Sequence, residues 1–514
     1  MQKLSRLTRA SLLIAFFFAV DKVFAFGRSI LIARQFSLSA ELDAFNVANN
    51  LPDMLFALIS GGAIGMAFIP LLSEALAKNG RDAAWDLFSR VANVAFLVTL
   101  AFAVLVAAFA EQIVKAQIGI APGFNAEQQH MVARLMQLNL IGTILFSISG
   151  LVMASLQANQ HFLLPAMAPT LYNIGMIFGA LVLSPTEPYR LGPVQLPALG
   201  LGVYGLVYGV ILGAMLHLGI QLPGLARYGF RYTASLNLRH SGLAQALRVF
   251  APRLLTLFGI QLIFIIRDNL ASRIGQVGGV SALTYGWMIM QMPETIIGTA
   301  IATALLPSLA EYAARGEWQT FEQTLGKALG VMVALSLPAA AVLGLYLQPL
   351  AQTAFGFDAA GNALLVATTR VYLATLLGYA AQETLARAFY ARVEPKLPLA
   401  GIGVRLVLYV AIIAGLWLVW PAGGVVVIAA GELAVLGEAL FLGWRMHARM
   451  GHGLALAPGL ARGLASMAVA GIGYWLLGQV LPLDTIGGAL AGMVISGGLA
   501  LAVVWKDASA VLRL

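Results

Sequence analysis

No cysteine occurs among the 514 residues, which removes disulfide frameworks and thiol chemistry and leaves redox compartment without a marker. Charge is scarce as well. Asp, Glu, Lys and Arg make up 10% of the chain against 60% hydrophobic residues, with a mean hydropathy of +0.86. That is far too apolar for a soluble fold. The longest polar loops, around 111–131 and 227–247, are too short to fold as domains, which counts against a membrane enzyme with an appended catalytic module. The six histidines (130, 161, 217, 240, 447 and 452) are scattered without ligand spacing. No Ser/His/Asp arrangement, phosphate-cradling glycine loop or metal motif stands out.

What the chain has instead is long apolar runs, each long enough to span a hydrocarbon core of about 30 Å. Fourteen are expected, near 11–34, 46–72, 88–110, 132–156, 163–184, 198–226, 247–272, 281–310, 325–347, 363–391, 397–420, 425–444, 459–481 and 485–505. The opening Lys3, Arg6 and Arg9 before an apolar run imitate a signal peptide. Asp21-Lys22 interrupts that run and it continues past any small-residue cleavage site, so a retained first helix is expected. The net charge of +9 does not point to nucleic acid. With the N-terminus inside, 20 of the 31 Lys and Arg fall on the cytoplasmic side, 6 outside and five within spans. This is the positive-inside pattern, and it places both termini in the cytoplasm.

Within this apolar chain, Asp21, Lys22 and Arg28 interrupt the first span, and Arg267, Asp268 and Arg273 the seventh. An ionised group at the bilayer centre costs about 2.5–3.5 kcal/mol on insertion scales, so such groups usually face a watery cavity and touch what moves through it. A transporter of charged cargo is the class this implies. Two readings stand for the pairs Asp21–Lys22 and Arg267–Asp268: contact with cargo, or neutralisation of one another and of neighbouring helices. Glu432 and Glu438, on span twelve, fit ion coupling or helix packing equally.

The chain also repeats itself. Asp43–Asp53 reads DAFNVANNLPD and Thr284–Glu294 reads TYGWMIMQMPE, each ending in apolar-Pro-acid. Each leads to a second proline, in Phe68-Ile69-Pro70-Leu71-Leu72-Ser73-Glu74 and Leu305-Leu306-Pro307-Ser308-Leu309-Ala310-Glu311. The proline spacing, 18 against 14, differs by about one helical turn. Two parallel-repeat six-helix bundles are therefore expected, over 1–226 and 227–449, with two further helices in 450–514. The fold class is all-α polytopic membrane protein. Proline in a span frees backbone carbonyls and permits bending, and Gly61-Gly62-Ala63 with Gly65 lets another helix approach closely.

DAFNVANNLPD, the following Ser60-Gly61-Gly62-Ala63 and Ala67-Phe68-Ile69-Pro70, Ala166-Met167-Ala168-Pro169-Thr170-Leu171-Tyr172-Asn173-Ile174, and Pro293 with Leu306-Pro307-Ser308-Leu309 together resemble the MurJ/MviN family. These are bacterial flippases of lipid II, the undecaprenyl-linked peptidoglycan precursor, within the multidrug/oligosaccharidyl-lipid/polysaccharide exporter superfamily. The resemblance covers essentially the whole chain. It implies two lobes closing over a central cavity, a groove of the last two helices for the polyprenyl tail, and a place in the bacterial inner membrane. It also implies lipid II and membrane lipids as partners, with the cell-wall synthesis machinery as a candidate protein partner.

Carried over by position, Arg28 matches a cavity arginine, Lys22 stands where another arginine is common, and Asp43 matches the acid opening the second helix. Asp268 falls where some members place an acid resembling a sodium ligand. Departures are Ser29, where an acid is usual, Phe56 and Ala57 in place of paired arginines, and Met288 in place of an arginine on helix eight. Arg267 is placed to restore one lost cation, or to be neutralised by Asp268. Arg28 can fork onto phosphate oxygens and Lys22 can act as a point charge. Asn46, Asn49 and Asn50 can hydrogen-bond sugar or peptide. Asp43, Asp53, Glu294 and Glu383 can meet ammonium groups or pair with the cations. The expectation is a lipid II flippase without a cofactor, coupled to Na+ or to membrane potential. The alternatives are an exporter of another polyprenyl-linked oligosaccharide and, further off, a cation-coupled multidrug antiporter.

Overall fold

The computed structural model describes residues 6–58, 64–236, 241–450 and 456–511, and the expected glycine stretch at 61–63 lies outside them. The described chain is helical apart from its loops and one two-residue hairpin, in which Arg190 pairs with Gln195. Among the described residues, 11 helices are long and apolar enough to cross a membrane, or 12 with one bent pair counted as a span. The two remaining expected spans are the charged first helix and a broken second one. The protein is thus an all-α polytopic membrane protein of about fourteen spans. Its contacts divide it into two compact units, Met1–Gly275 and Gln276–Leu514.

The first unit opens with α1 (Arg6–Phe36). Span two is split into α2 (Ala40–Ala48) and α3 (Asn50–Phe56). The Ser39 hydroxyl accepts from the Leu42 amide at 3.2 Å, and Glu41 and Asp43 sit in the first turn of α2, where the exposed amides and helix dipole favour anions. α4 (Ile64–Ala108) is two helices, the end of span two and span three, that meet at a kink at Gly80, whose φ of 83° only glycine adopts without strain. After α5 (Ala110–Lys115), α6 (Ala126–Ala158) starts at Asn125, whose side chain accepts from Gln128 N at 2.8 Å. Then come α7 (Leu163–Phe178), a π turn over Gly179–Leu183, α8 (Val203–Gly219), α9 (Leu222–Arg227) and α10 (Ser241–Ile274). Expected to open the second lobe, α10 packs on α3 and α4 within this unit.

The core of this unit gathers Trp85, Phe68 and Phe88 with Phe230, and the Trp85 indole donates to Tyr228 O at 3.1 Å. Glycines bring α7 and α8 into backbone contact. A Cβ on Gly175 would stand 2.4 Å from Gly213 Cα, and one on Gly179 2.7 Å from Gly209 Cα. In a bilayer, where apolar burial does not drive helices together, such close approach carries the association. Gly175→Ala is expected to destabilise the protein by about 1–3 kcal/mol through overpacking against backbone, read as a lowered unfolding midpoint in detergent.

The second unit comprises α11 (Gly279–Glu294), a π turn over Thr295–Thr299, α12 (Ala300–Arg315) and α13 (Trp318–Phe355). It continues through α14 (Ala359–Ala374), α15 (Leu376–Ala391), α16 (Lys396–Val419), α17 (Val425–Gly431), α18 (Ala434–Met450), α19 (Ala457–Leu477), α20 (Ile486–Val503) and α21 (Trp505–Val511). α14 and α15 form one span bent by 42°. The tight Pro421–Gly424 turn does separate two spans, with Gly424 at φ 55°. α19 and α20 lie against α13, and Arg462 forks onto Asp507 with two bonds of 2.7 Å. In the second copy of the repeat, Pro293 leads into the Thr295–Thr299 π turn. Such turns hold one extra residue and often mark functional positions.

Candidate functional site

In the first unit the charges of α1 meet α3 and α7. Asp21 and Arg28 lie seven residues apart, two turns along one face. Asp21 accepts from Asn173 Nδ2 at 2.8 Å. The Arg28 guanidinium stands 5.8 Å from the centroid of the Tyr172 ring, and its buried Nε has no hydrogen-bond partner. It is within electrostatic reach of Asp21 and of Asp53, which is exposed on α3. Lys22 is exposed, with Nζ 5.1 Å from the Phe18 ring. Ser29, in place of an acid, donates to Ala25 O at 2.9 Å within its own helix. Half-buried Arg28 therefore offers guanidinium donors beside an aromatic face, with Lys22 six residues away in the same helix.

Phe56, where an arginine was looked for, packs edge-on to Phe146 at 5.3 Å, and Phe146 packs on Tyr172 at 5.2 Å. An aromatic ladder thus leads to the ring under Arg28. Tyr172 and Asn173, part of a sequence motif with no partner evident from sequence, meet Arg28 and Asp21 because α7 lies beside α1.

The asparagines of the DAFNVANNLPD segment do separate work. Asn49 Oδ1 accepts from Asn139 at 2.8 Å, while Asn50 donates to Asp268 Oδ2 at 2.8 Å across 218 residues. Arg267 Nε donates to Asp268 Oδ1 at 2.7 Å, and the two side chains are 6% and 0% exposed. Asp43 is buried and Asn46 half-buried on α2. Arg28, Lys22, Asp53 and Asn49 therefore flank accessible polar surface, whereas Arg267 and Asp268 close on each other and on Asn50. Each Asp268 oxygen thus accepts one hydrogen bond, and the adjacent Arg267 guanidinium already balances the carboxylate's charge. Among the described residues no group of three or more His, Asp or Glu is arranged to hold a metal.

In the second unit the π turn opens a second polar cluster. Thr299 Oγ1 donates to Glu294 at 3.1 and 3.3 Å. Arg387 pairs with Glu383 at 2.8 Å and donates to Thr299 O at 3.2 Å. A Cβ on Gly298 would stand 2.6 Å from Glu294 Oε1, so only glycine leaves the carboxylate its place there. Two acids thus share one arginine, a balance suited to a cationic group. Met288 is half-buried and supplies no charge in this unit.

A third cluster is sealed. Arg405 on α16 bonds Glu432 Oε2 at 2.7 Å and lies 3.7 Å from Glu438 Oε2, while Tyr379 donates to Glu432 at 3.0 Å and Gln382 to Glu438 at 3.2 Å. Arg405, Glu432 and Glu438 are each 3% exposed or less. Of the two readings of Glu432 and Glu438, this geometry favours helix packing.

Many apolar helices, Pro-acid repeats and charge within spans define a polytopic membrane transporter. Comparison with solved structures places the fold. A structure described as a lipid II flippase MurJ in the inward closed conformation superposes with a TM-score of 0.75 over 98% of this chain and 99% of that one, at 18% identity. An inward-facing multidrug-resistance MATE transporter of the MOP superfamily gives 0.67 over 84% and 94%, at 16% identity. In sequence, the family profile described as lipid II flippase MurJ matches residues 32–481. The lipid II flippase MurJ of Burkholderia cenocepacia is 30% identical over 97% of both chains, and a probable lipid II flippase MurJ of Buchnera aphidicola is 25% identical over 74% of this chain and 72% of its own. The chain belongs to the lipid II flippase MurJ family.

Proposed function

We propose that this protein is a lipid II flippase of the bacterial inner membrane, moving the undecaprenyl-linked precursor from inner to outer leaflet by alternating access, with both termini cytoplasmic. The observation that carries the reading is Arg28. It is a half-buried guanidinium with an unmatched Nε donor, held over Tyr172 in a family of lipid II flippases. Charge-assisted forks suit the oxygens of a pyrophosphate. Lys22 adds a point charge, and Asn49 and Asp53 offer polar contacts to sugar or peptide.

Coupling to membrane potential fits better than a sodium site at Asp268, because the buried Arg267 guanidinium already neutralises that carboxylate. One charge crossing 100 mV is worth about 2.3 kcal/mol, enough to bias a cationic site. The purified protein in proteoliposomes is expected to translocate lipid II faster under an imposed potential than without one. Translocation of another polyprenyl-linked glycan but not of lipid II would replace the cargo in this reading.

A further inference from the structure

A cleft of about 320 Å³ lies on the second unit between α13, α14 and α19, lined among others by Ser336, Ala340, Gly344, Arg370, Leu373 and Met467. Its size falls in the range of small-ligand sites. No Asp or Glu lines it, and Arg370 is the single charged residue on its wall. Arg370 Nε donates to Gly344 O at 2.9 Å, which fixes the guanidinium at that end and leaves the Nη fork to a ligand. Along α13 the cleft runs eight residues from Gly344 to Ser336, roughly 12 Å. There the Ser336 hydroxyl is 0% exposed and has no hydrogen-bond partner.

A cation at one end, an apolar trough and an unanswered hydroxyl below describe an amphiphile with an anionic head. We infer that this cleft holds one anionic phospholipid, its phosphate on Arg370, an acyl chain along Ala340 and Leu373, and a glycerol-ester oxygen on Ser336. A zwitterionic lipid fits less well, because its ammonium would find no carboxylate on the wall. A free phosphate leaves the trough unfilled. The site shares no lining residue with the Glu294 cluster and does not depend on the cargo.

The test is a titration of delipidated full-length protein with phosphatidylglycerol, phosphatidylcholine or inorganic phosphate, read by native mass spectrometry and thermal shift. Phosphatidylglycerol is expected to bind and raise the midpoint, and the other two are not. Arg370→Gln should weaken binding tenfold or more. Gly344→Leu should block the trough, since a Cβ there meets only Leu373 Cδ1 at 3.6 Å and Arg370 Cγ at 3.9 Å and the helix is left intact. The lipid-free midpoint of each variant reports its fold. Equal binding of phosphatidylcholine, an equal shift by phosphate, or undiminished phosphatidylglycerol binding in a folded variant would overturn the assignment.

Discussion

Arg28→Ala is expected to lower lipid II translocation in proteoliposomes by tenfold to a hundredfold while leaving expression and the unfolding midpoint near wild type. A hydrogen bond to a charged group contributes about 1.5–3 kcal/mol, which sets that range. The fold should tolerate the change because Arg28 is half-buried, its Nε is unmatched, and Asp21 keeps its bond to Asn173. Arg28→Lys should fall between, since an ammonium supplies charge without the planar fork. Translocation at the wild-type rate in Arg28→Ala would remove the phosphate contact from the mechanism.

Arg405→Ala should act on the fold rather than on transport. Removing it leaves Glu432 and Glu438 facing each other without their cation, both 1% exposed. Breaking a buried ion pair from one side costs about 3–5 kcal/mol. The expected result is loss of monodisperse protein on extraction, or a steep fall in the thermal midpoint. Removing the acids as well, as Arg405→Met with Glu432→Gln and Glu438→Gln, should recover most of the loss. A stable Arg405→Ala protein with normal midpoint but no transport would instead move this cluster into the transport pathway.

The order of spans was legible because hydropathy is local. Apolar runs, the tight Pro421–Gly424 turn and the two Pro-acid repeats each announce themselves within a few dozen residues. Arg28 stands out in the sequence because a charge in an apolar span has few structural uses. Partners far apart in sequence were not. Nothing near Arg267-Asp268 in the chain announces Asn50, which closes that pair from 218 residues away. His217 looked isolated, but Ser149 stands 2.6 Å from its Nδ1 and Gln221 donates to the same serine, a contact between helices that periodicity does not encode. Phe56 shows the opposite limit: the missing arginine was visible, and the Phe146–Tyr172 ladder that occupies its neighbourhood was not.

The sealed cluster around Arg405 also constrains how the chain is made. A guanidinium at mid-span costs about 2.5–3.5 kcal/mol to insert by itself, and on α16 the neutralising acids have not yet emerged from the ribosome when that helix is first offered to the lipid. They arrive on the next segment, Glu432 at the α17–α18 junction and Glu438 in α18, beyond a turn of only a few residues. Joint release of α16 with α17 and α18 as a helical hairpin, rather than one helix at a time, is therefore the lower-energy route out of the insertion machinery.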